Sequence, residues 1–185
     1  MSRIFYLIIV LSLLYTSVWA QDPPFPPPPD LVAWSKDSIK PYQKYPTLPS
    51  FNIRLLDSVT IFNTDNIPSG KPIAIVFFDP NCKHCQHSIN ALIKSMDSVR
   101  NVRFYFITPV HDLALLRNFY MQYHMGDYKN IQIAGRDFEF FFFDFYRTIS
   151  YPDVALYDKH KKLIRLIEGE FSASDIYNCI NGIKN

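Results

Sequence analysis

The apolar run PIAIVFF, residues 72–78, is the feature that most constrains the fold. A continuous apolar stretch of this length is typical of a strand that is buried on both faces of a sheet. DPNCKHCQ follows at once and leads into a helical stripe, which consists of Cys85, Ile89, Leu92, Ile93 and Met96. The sequence therefore predicts a buried strand, a turn and a helix, with a pair of cysteines at the start of the helix.

Strands and helices alternate along the rest of the chain. FNIRLL and VTIFN predict a hairpin before the buried strand, and VRFYFITP predicts a second buried strand after its helix. HDLALLRNFYMQYHM predicts a helix opened by His111 and Asp112. DVALYD and KLIRLIEG predict a second hairpin, and a last helix is capped by Ser172 or Ser174. This order predicts an α/β fold in which helices flank both faces of a central mixed sheet.

The segment DFEFFFFDFYRTI fits either a buried helix or a strand, because its aromatic residues have no clear period. We favour a helix, since Asp137, Glu139 and Asp144 would then share an exposed side. The adjacent phenylalanines would contribute to the core.

The N-terminus has the pattern of a Sec-type signal peptide over residues 1–20, with Arg3, an uncharged apolar run and small residues before Gln21. An uncleaved anchor is the alternative, because the run is near the lower limit of about 17 residues for a membrane span. Closely spaced prolines predict an extended spacer over residues 21–50, and a compact domain follows over 51–185. We therefore expect an exported protein, attached to a membrane only if the N-terminal segment is uncleaved.

Three cysteines are available for pairing in an oxidising compartment, namely Cys82, Cys85 and Cys179. A bridge across two residues closes too small a loop to constrain the unfolded chain, which disfavours a purely structural disulfide. Cys179 lies in the apolar stripe IYNCI and is interpreted as a buried core thiol. The formal net charge of +2 gives no basic footprint for nucleic acid, so we predict no nucleic-acid partner.

The spacing of the cysteine pair predicts a redox-active dithiol. Cys82 would lie at the helix N-terminus, where free N–H groups favour a thiolate. Cys85, one turn on, would be more buried and placed to resolve a mixed disulfide. The imidazole of His84 would stabilise the Cys82 thiolate when charged.

Strand, NCKHCQ, helix, strand, helix and then SYPDVALYDKHKKLIRLIEG together resemble the thioredoxin superfamily, and in particular exported bacterial TlpA-like thiol-disulfide oxidoreductases, from about Phe51 onward. The resemblance implies a thioredoxin fold with a helical insertion before the cis-proline strand. It also implies that Pro152 is the cis-proline and that the backbone of Tyr151 pairs with a substrate strand. Protein thiols and disulfides would be the substrates in the periplasm, with a membrane electron donor as a further partner. The dithiol carries the electrons, so no cofactor is implied.

Two carboxylates that are usual in this superfamily are missing. Val76 stands at the position of the buried acid, and Ser88 stands where exported relatives often have glutamate. Proton transfer at the cysteine pair would therefore fall to Asp79, His84 or His87.

A metal site is the main alternative chemistry, because Cys82, Cys85, His84 and His87 are soft ligands that suit Cu(I) or Zn(II). The chain is similar here to Sco-type copper proteins, which usually have three residues between the cysteines instead of two. Gln86 follows the motif where covalent haem attachment needs histidine. We predict no metal, and keep as the alternative function a thioredoxin-fold binding module or Sco-like copper-binding metallochaperone without redox catalysis.

Overall fold

The computed structural model describes residues 39–182, and within that range seven strands form one mixed sheet in the order β2-β1-β5-β4-β3-β6-β7. Parallel pairing joins β3 to β4 and β4 to β5, and the other neighbours are antiparallel. The strands are β1 Asn52–Leu55, β2 Ile61–Asn63, β3 Ile73–Phe77, β4 Arg103–Thr108, β5 Ile131–Arg136, β6 Asp153–Tyr157 and β7 Leu163–Glu168.

Helices cover both faces of this sheet, which confirms the predicted mixed sheet with flanking helices. They are α1 Pro41–Lys44, α2 Lys83–Lys94, α3 Leu113–Gln122, α4 Phe141–Tyr146 and α5 Ala173–Ile180. Within residues 39–182, none of the helices has the length and apolar character needed to cross a bilayer. The predicted signal peptide, residues 1–20, lies outside the described residues.

Strand β3 is the centre of the molecule, and all five of its residues are buried. Ala74 and Val76 face the core beneath α2, whereas Phe77 faces the opposite core and stacks on Phe142 of α4 at a centroid distance of 4.4 Å. We call these two sides of the sheet the α2 face and the α4 face. Burying one such aromatic side chain contributes about 1.5–3 kcal/mol, so the run that begins the sequence argument also fixes the fold.

Residues 39–50, which the sequence analysis assigned to an extended spacer, pack along the edge of the sheet. The N–H of Leu48 donates to the carbonyl of Lys161 at 2.9 Å, and the N–H of Leu163 donates to the carbonyl of Pro46 at 2.7 Å. Because β7 is an edge strand, this segment covers part of an edge that would otherwise be open to pairing with another chain. The packed part of the described chain therefore begins before the start that composition predicts.

Strand β5 is missing from the sequence-based prediction. Its sequence IQIAGR is short and contains a glycine, which weakens a strand pattern. It pairs with β4 and β1, so the chain between β4 and β6 contains α3, β5 and α4. The predicted insertion before the cis-proline strand is therefore not purely helical.

Asp137 is buried, whereas the prediction gave it an exposed side shared with Glu139 and Asp144. Its carboxylate accepts the N–H groups of Phe141 at 3.0 Å and Phe142 at 2.8 Å, at the start of α4. Burial raises the pKa of this carboxyl, although the hydrogen bonds oppose the rise. The predicted helix is confirmed, but an acid that caps a helix from the core side cannot be recognised from periodicity.

Candidate active site

Cys82 lies at the junction of β3 and α2 and is the N-cap residue of the helix. A turn precedes it, closed by a hydrogen bond from the Cys82 N–H to the Asp79 carbonyl at 3.0 Å. The Sγ of Cys82 accepts the backbone N–H of Cys85 at 3.5 Å, and the side chain is half-buried. The sulfur is therefore accessible from solvent while a helix N–H group points at it.

Cys85 lies one turn further along α2, and its side chain is fully buried in the core of the α2 face. Burial raises the pKa of this thiol far above its ordinary range, although the backbone N–H of Asp79 opposes the rise. Both cysteines are free thiols. The pair thus presents one accessible sulfur and one buried thiol that holds its proton.

The loop before β6 brings a backbone carbonyl to the accessible sulfur. The Tyr151–Pro152 peptide bond is cis, and the Tyr151 carbonyl oxygen lies 4.0 Å from the Sγ of Cys82. The Tyr151 ring packs against Phe77 and Phe143, with centroid distances of 5.2 and 5.8 Å. Burial raises the pKa of its hydroxyl to about 12. Ring packing therefore holds the backbone of this loop beside Cys82.

Asp79 is the acidic side chain whose charge reaches the cysteine pair. Its negative charge contributes to the raised pKa of both Cys85 and Tyr151. One carboxylate oxygen accepts the N–H of Asn81 at 2.8 Å, and the side chain is half-buried. Asp79 therefore combines proximity to the buried thiol with a carboxylate that can take up a proton.

His84 faces away from the sulfurs, toward the loop that follows β7. Its Nδ1 contacts the carboxylate of Glu170, and the two side chains are 72% and 50% exposed. The hydrogen bond from His84 lowers the pKa of Glu170, and the charge of His87 adds a smaller contribution. Among the described contacts, no hydrogen bond joins His84 to a cysteine. Glu170 was not identified from the sequence, because it lies 86 residues away and no local pattern indicates the contact.

The two positions that lack the usual carboxylates are part of the packing. Val76 is fully buried in β3, between its register partners Phe106 of β4 and Val154 of β6. The buried hydroxyl of Ser88 accepts the N–H of Phe171 at 3.1 Å, which attaches the loop after β7 to α2. Neither position supplies a proton acceptor to the cysteine pair.

The third cysteine and the candidate metal ligands complete the set of residues singled out in the sequence. Cys179, interpreted as a buried core thiol, is half-buried on α5, where its Sγ accepts a hydrogen bond from Arg165 at 3.7 Å. It still packs against the core of the α2 face. Throughout the part of the chain that the structure describes, no three His, Cys, Asp or Glu side chains are grouped so that they could hold a metal ion.

Comparison with known proteins gives a match in structure only: no protein-family model matches the chain, and no curated protein is similar to it in sequence. A secreted disulfide oxidoreductase of Mycobacterium tuberculosis, homologous to E. coli DsbE, is 16% identical with a TM-score of 0.58, over 71% of this chain and 95% of that chain. A thioredoxin-family thiol:disulfide interchange protein of Chlorobium tepidum is 17% identical with a TM-score of 0.59, over 80% and 98% of the two chains.

A third solved structure has the same architecture. The thioredoxin domain of a thiol-disulfide oxidoreductase of Bacteroides vulgatus is 15% identical with a TM-score of 0.57, over 75% of this chain and 96% of that chain. The similarity extends over nearly the full length of each neighbour, and the neighbours share a sheet flanked by helices with this protein. At these identities it is the fold that is shared. The chain has the thioredoxin fold.

Proposed function

We propose that the protein is a thiol-disulfide oxidoreductase that exchanges disulfides with protein substrates through Cys82 and Cys85. The observation that carries this proposal is the placement of the half-buried Cys82 sulfur between a helix N–H group and the Tyr151 carbonyl, with Cys85 buried one turn away. The fold neighbours, described as disulfide oxidoreductases, support the same chemistry. Thiols at helix N-termini are the usual site of such reactivity.

In the reducing direction, the Cys82 thiolate attacks one sulfur of a substrate disulfide. The substrate S–S bond breaks, a mixed disulfide with Cys82 forms, and the released substrate thiolate takes up a proton. Cys85 then loses its proton and attacks the Cys82 sulfur, which releases the second substrate thiol. Two electrons have passed to the substrate, and Cys82 and Cys85 are joined. A partner dithiol must reduce this bridge to restart the cycle, and every step reverses for net oxidation.

The second step needs a proton acceptor, because burial keeps the Cys85 thiol protonated. We assign this role to Asp79, whose charge acts directly on Cys85. His84 is a positioning residue in this scheme, since its ion pair with Glu170 fixes the outer side of α2 next to the cysteines. Tyr151 and Pro152 would hold the substrate chain, whose backbone N–H groups would pair with the free carbonyl of Tyr151.

We further propose that the protein acts outside the cytoplasm, in the periplasm of a bacterial source. The support is the signal-like sequence of residues 1–20, and the description of one fold neighbour as secreted. In that compartment the partners would be protein thiols and disulfides and, for turnover, a membrane electron donor. Residues 21–38 would then be the extended spacer between the export signal and the packed part of the chain.

Trapping of the mixed disulfide tests the proposal. The full-length chain, purified in a non-ionic detergent because residues 1–20 are apolar, would be mixed with a disulfide-bonded model protein such as insulin. In a Cys179→Ser background, Cys85→Ser should accumulate a covalent complex that a reducing agent dissolves, because the resolving thiol is missing. Cys82→Ser in the same background should form none. Equal trapping by the two variants, or none by either, would contradict the proposal.

A further inference from the structure

Three arginines surround a surface cleft of about 430 Å³ that the redox chemistry does not use. Arg54 comes from β1, Arg136 from the end of β5 and Arg117 from α3. The imidazole of His111 and the side chain of Ser58 also line this cleft. The lining is therefore rich in hydrogen-bond donors, and we call it the arginine cleft.

The sheet register places two of these arginines directly opposite each other. Arg54 and Arg136 are partners in the antiparallel pairing of β1 and β5. The strands can pair this closely because Gly135 has no side chain: a Cβ there would lie 2.5 Å from Cγ2 of Ile53 and 2.7 Å from the carbonyl oxygen of Arg54. Like charges opposite each other in a sheet are destabilising, so this arrangement needs a compensating interaction.

The described residues do not supply that compensation. The Nε atoms of Arg54 and Arg136 are both buried and have no hydrogen-bond partner within residues 39–182. The ion pairs in that part of the chain lie elsewhere, at Lys40 with Glu168 and at His84 with Glu170. The guanidinium of Arg54 instead lies 5.0 Å from the ring centre of Phe138, which orients it without neutralising it. Buried polar groups without partners are costly, and such donors are a sign of a missing acceptor.

The remaining polar groups of the cleft are already engaged. Arg117 donates to the carbonyl of Leu56 at 2.9 Å and to the hydroxyl of Ser58 at 3.1 Å. Asp112, the one carboxylate in the lining, caps α3 by accepting the N–H of Ala114 at 2.8 Å. The helix donors are therefore occupied, and the open donor capacity belongs to the guanidinium groups.

We propose that the arginine cleft binds a phosphate group, either as free phosphate or as the phosphate of a small monoester. Three guanidinium groups against one carboxylate favour a doubly charged ligand over a single carboxylate, and the planar fork of arginine matches phosphate oxygens. The position supports a ligand site: β3, β4 and β5 are parallel, so their carboxyl ends meet at the edge of the sheet where ligands bind in such folds. Cys82 follows β3 at the same edge.

Calorimetric titration of the full-length chain with inorganic phosphate, at fixed ionic strength set with chloride, tests this site. Wild type should bind saturably, and Arg54→Gln and Arg136→Gln should each weaken the affinity at least about tenfold, because each removes a charge-assisted contact. The matched control is Arg100→Gln, an exposed arginine outside the cleft that should leave the affinity unchanged. Titration with glycerol 3-phosphate in parallel distinguishes the two sources, since the tighter of the two identifies the natural form.

Thermal unfolding gives a second readout that does not depend on equal folding of the variants. Phosphate should raise the Tm of wild type and of Arg100→Gln, and should not raise that of the two cleft variants. Without phosphate, Arg54→Gln should unfold no earlier than wild type, because it removes one of two opposed charges. The proposal is overturned if wild type shows no saturable binding, if Arg100→Gln weakens binding as much as the cleft variants, or if acetate binds as tightly as phosphate.

Discussion

Two strand–helix junctions lie at the same edge of the sheet and differ in the residue that caps the helix. Strand β3 leads into α2 with Cys82 as the N-cap, and β4 leads into α3 with Asp112 as the N-cap. The Cys82 sulfur accepts one N–H group at 3.5 Å, whereas one Asp112 oxygen accepts those of Ala114 at 2.8 Å and Leu115 at 3.4 Å.

The difference shows how one fold position serves either structure or chemistry. A carboxylate is a strong acceptor and occupies the free N–H groups of the helix permanently. A thiol is a weak acceptor, so the N–H group that points at Cys82 remains available for charge that develops on sulfur during exchange. We therefore attribute reactivity to the residue at the N-cap and not to the junction itself.

Replacing Cys82 by serine breaks the comparison at its reactive end and should have the largest effect. Serine is a good N-cap, so α2 should remain intact. Its hydroxyl does not exchange with disulfides, so the rate of insulin reduction by a dithiol should fall by at least about 10³-fold. Cys179→Ser is the matched control and should retain the wild-type rate. A Cys82→Ser rate within tenfold of wild type would contradict the account.

Asp153, the first residue of β6, is an acid in a position opposite in character to Asp112. It is fully buried, one carboxylate oxygen accepts the N–H of Gly169 at 3.0 Å, and the other has no hydrogen-bond partner in the described part of the chain. Burial raises its pKa from the ordinary 3.8 to about 7. Between these values the unfolded chain is ionised while the folded chain keeps its proton.

Raising the pH through this window therefore favours the unfolded state, and the effect ends above the folded pKa of about 7. Relative to Asp153→Asn, the unfolding free energy of wild type should fall by about 2–4 kcal/mol between about pH 4 and pH 8. Urea denaturation of both proteins across that range measures the difference. A constant difference at all pH values would show that Asp153 titrates normally.

Asp79→Asn sharpens the account of the cysteine pair, because it keeps the size of the side chain and removes its proton affinity. We expect resolution of the mixed disulfide to slow by about a hundredfold, the lower end of the range for loss of a general base. Formation of the mixed disulfide should change far less. Rapid acid quenching followed by alkylation separates the two steps, and Asp97→Asn, an exposed acid elsewhere, is the control. Slowing of the first step alone would contradict the assignment.

Asp112→Ala tests the structural end of the comparison and should have the smallest effect. Loss of an N-cap costs about 1 kcal/mol of stability. Urea denaturation should therefore show a lower midpoint for Asp112→Ala than for Cys82→Ser, which keeps a good cap. The reverse order would mean that the cysteine, and not the aspartate, is the stabilising cap.

Much of the fold could be predicted because it follows from local patterns. The apolar run of β3, the stripe of α2 and the Ser172 cap of α5 are each contained within one segment, and the structure has all three. Strand β5 could not be predicted in this way, because its place depends on pairing with β1 and on the close approach that Gly135 allows. That information lies in distant parts of the sequence.

The candidate site divides along the same line. Cys82 and Cys85 are separated by one helical turn, so their spacing alone indicates an accessible and a buried sulfur. The direction of His84 could not be predicted, because it is set by Glu170 in a distant loop. The burial of Asp137 was missed for a related reason, since the N–H groups that it accepts become available only when α4 forms.

The most direct test of the central claim is an equilibrium titration of the full-length protein against glutathione, with thiol labelling of Cys82 and Cys85. The account predicts one reversible two-electron transition in which both cysteines titrate together, unchanged in Cys179→Ser. A midpoint near about −250 mV would mark a reductant and one near about −120 mV an oxidant. If no reversible bridge forms, or if the two cysteines react independently, the oxidoreductase account is contradicted.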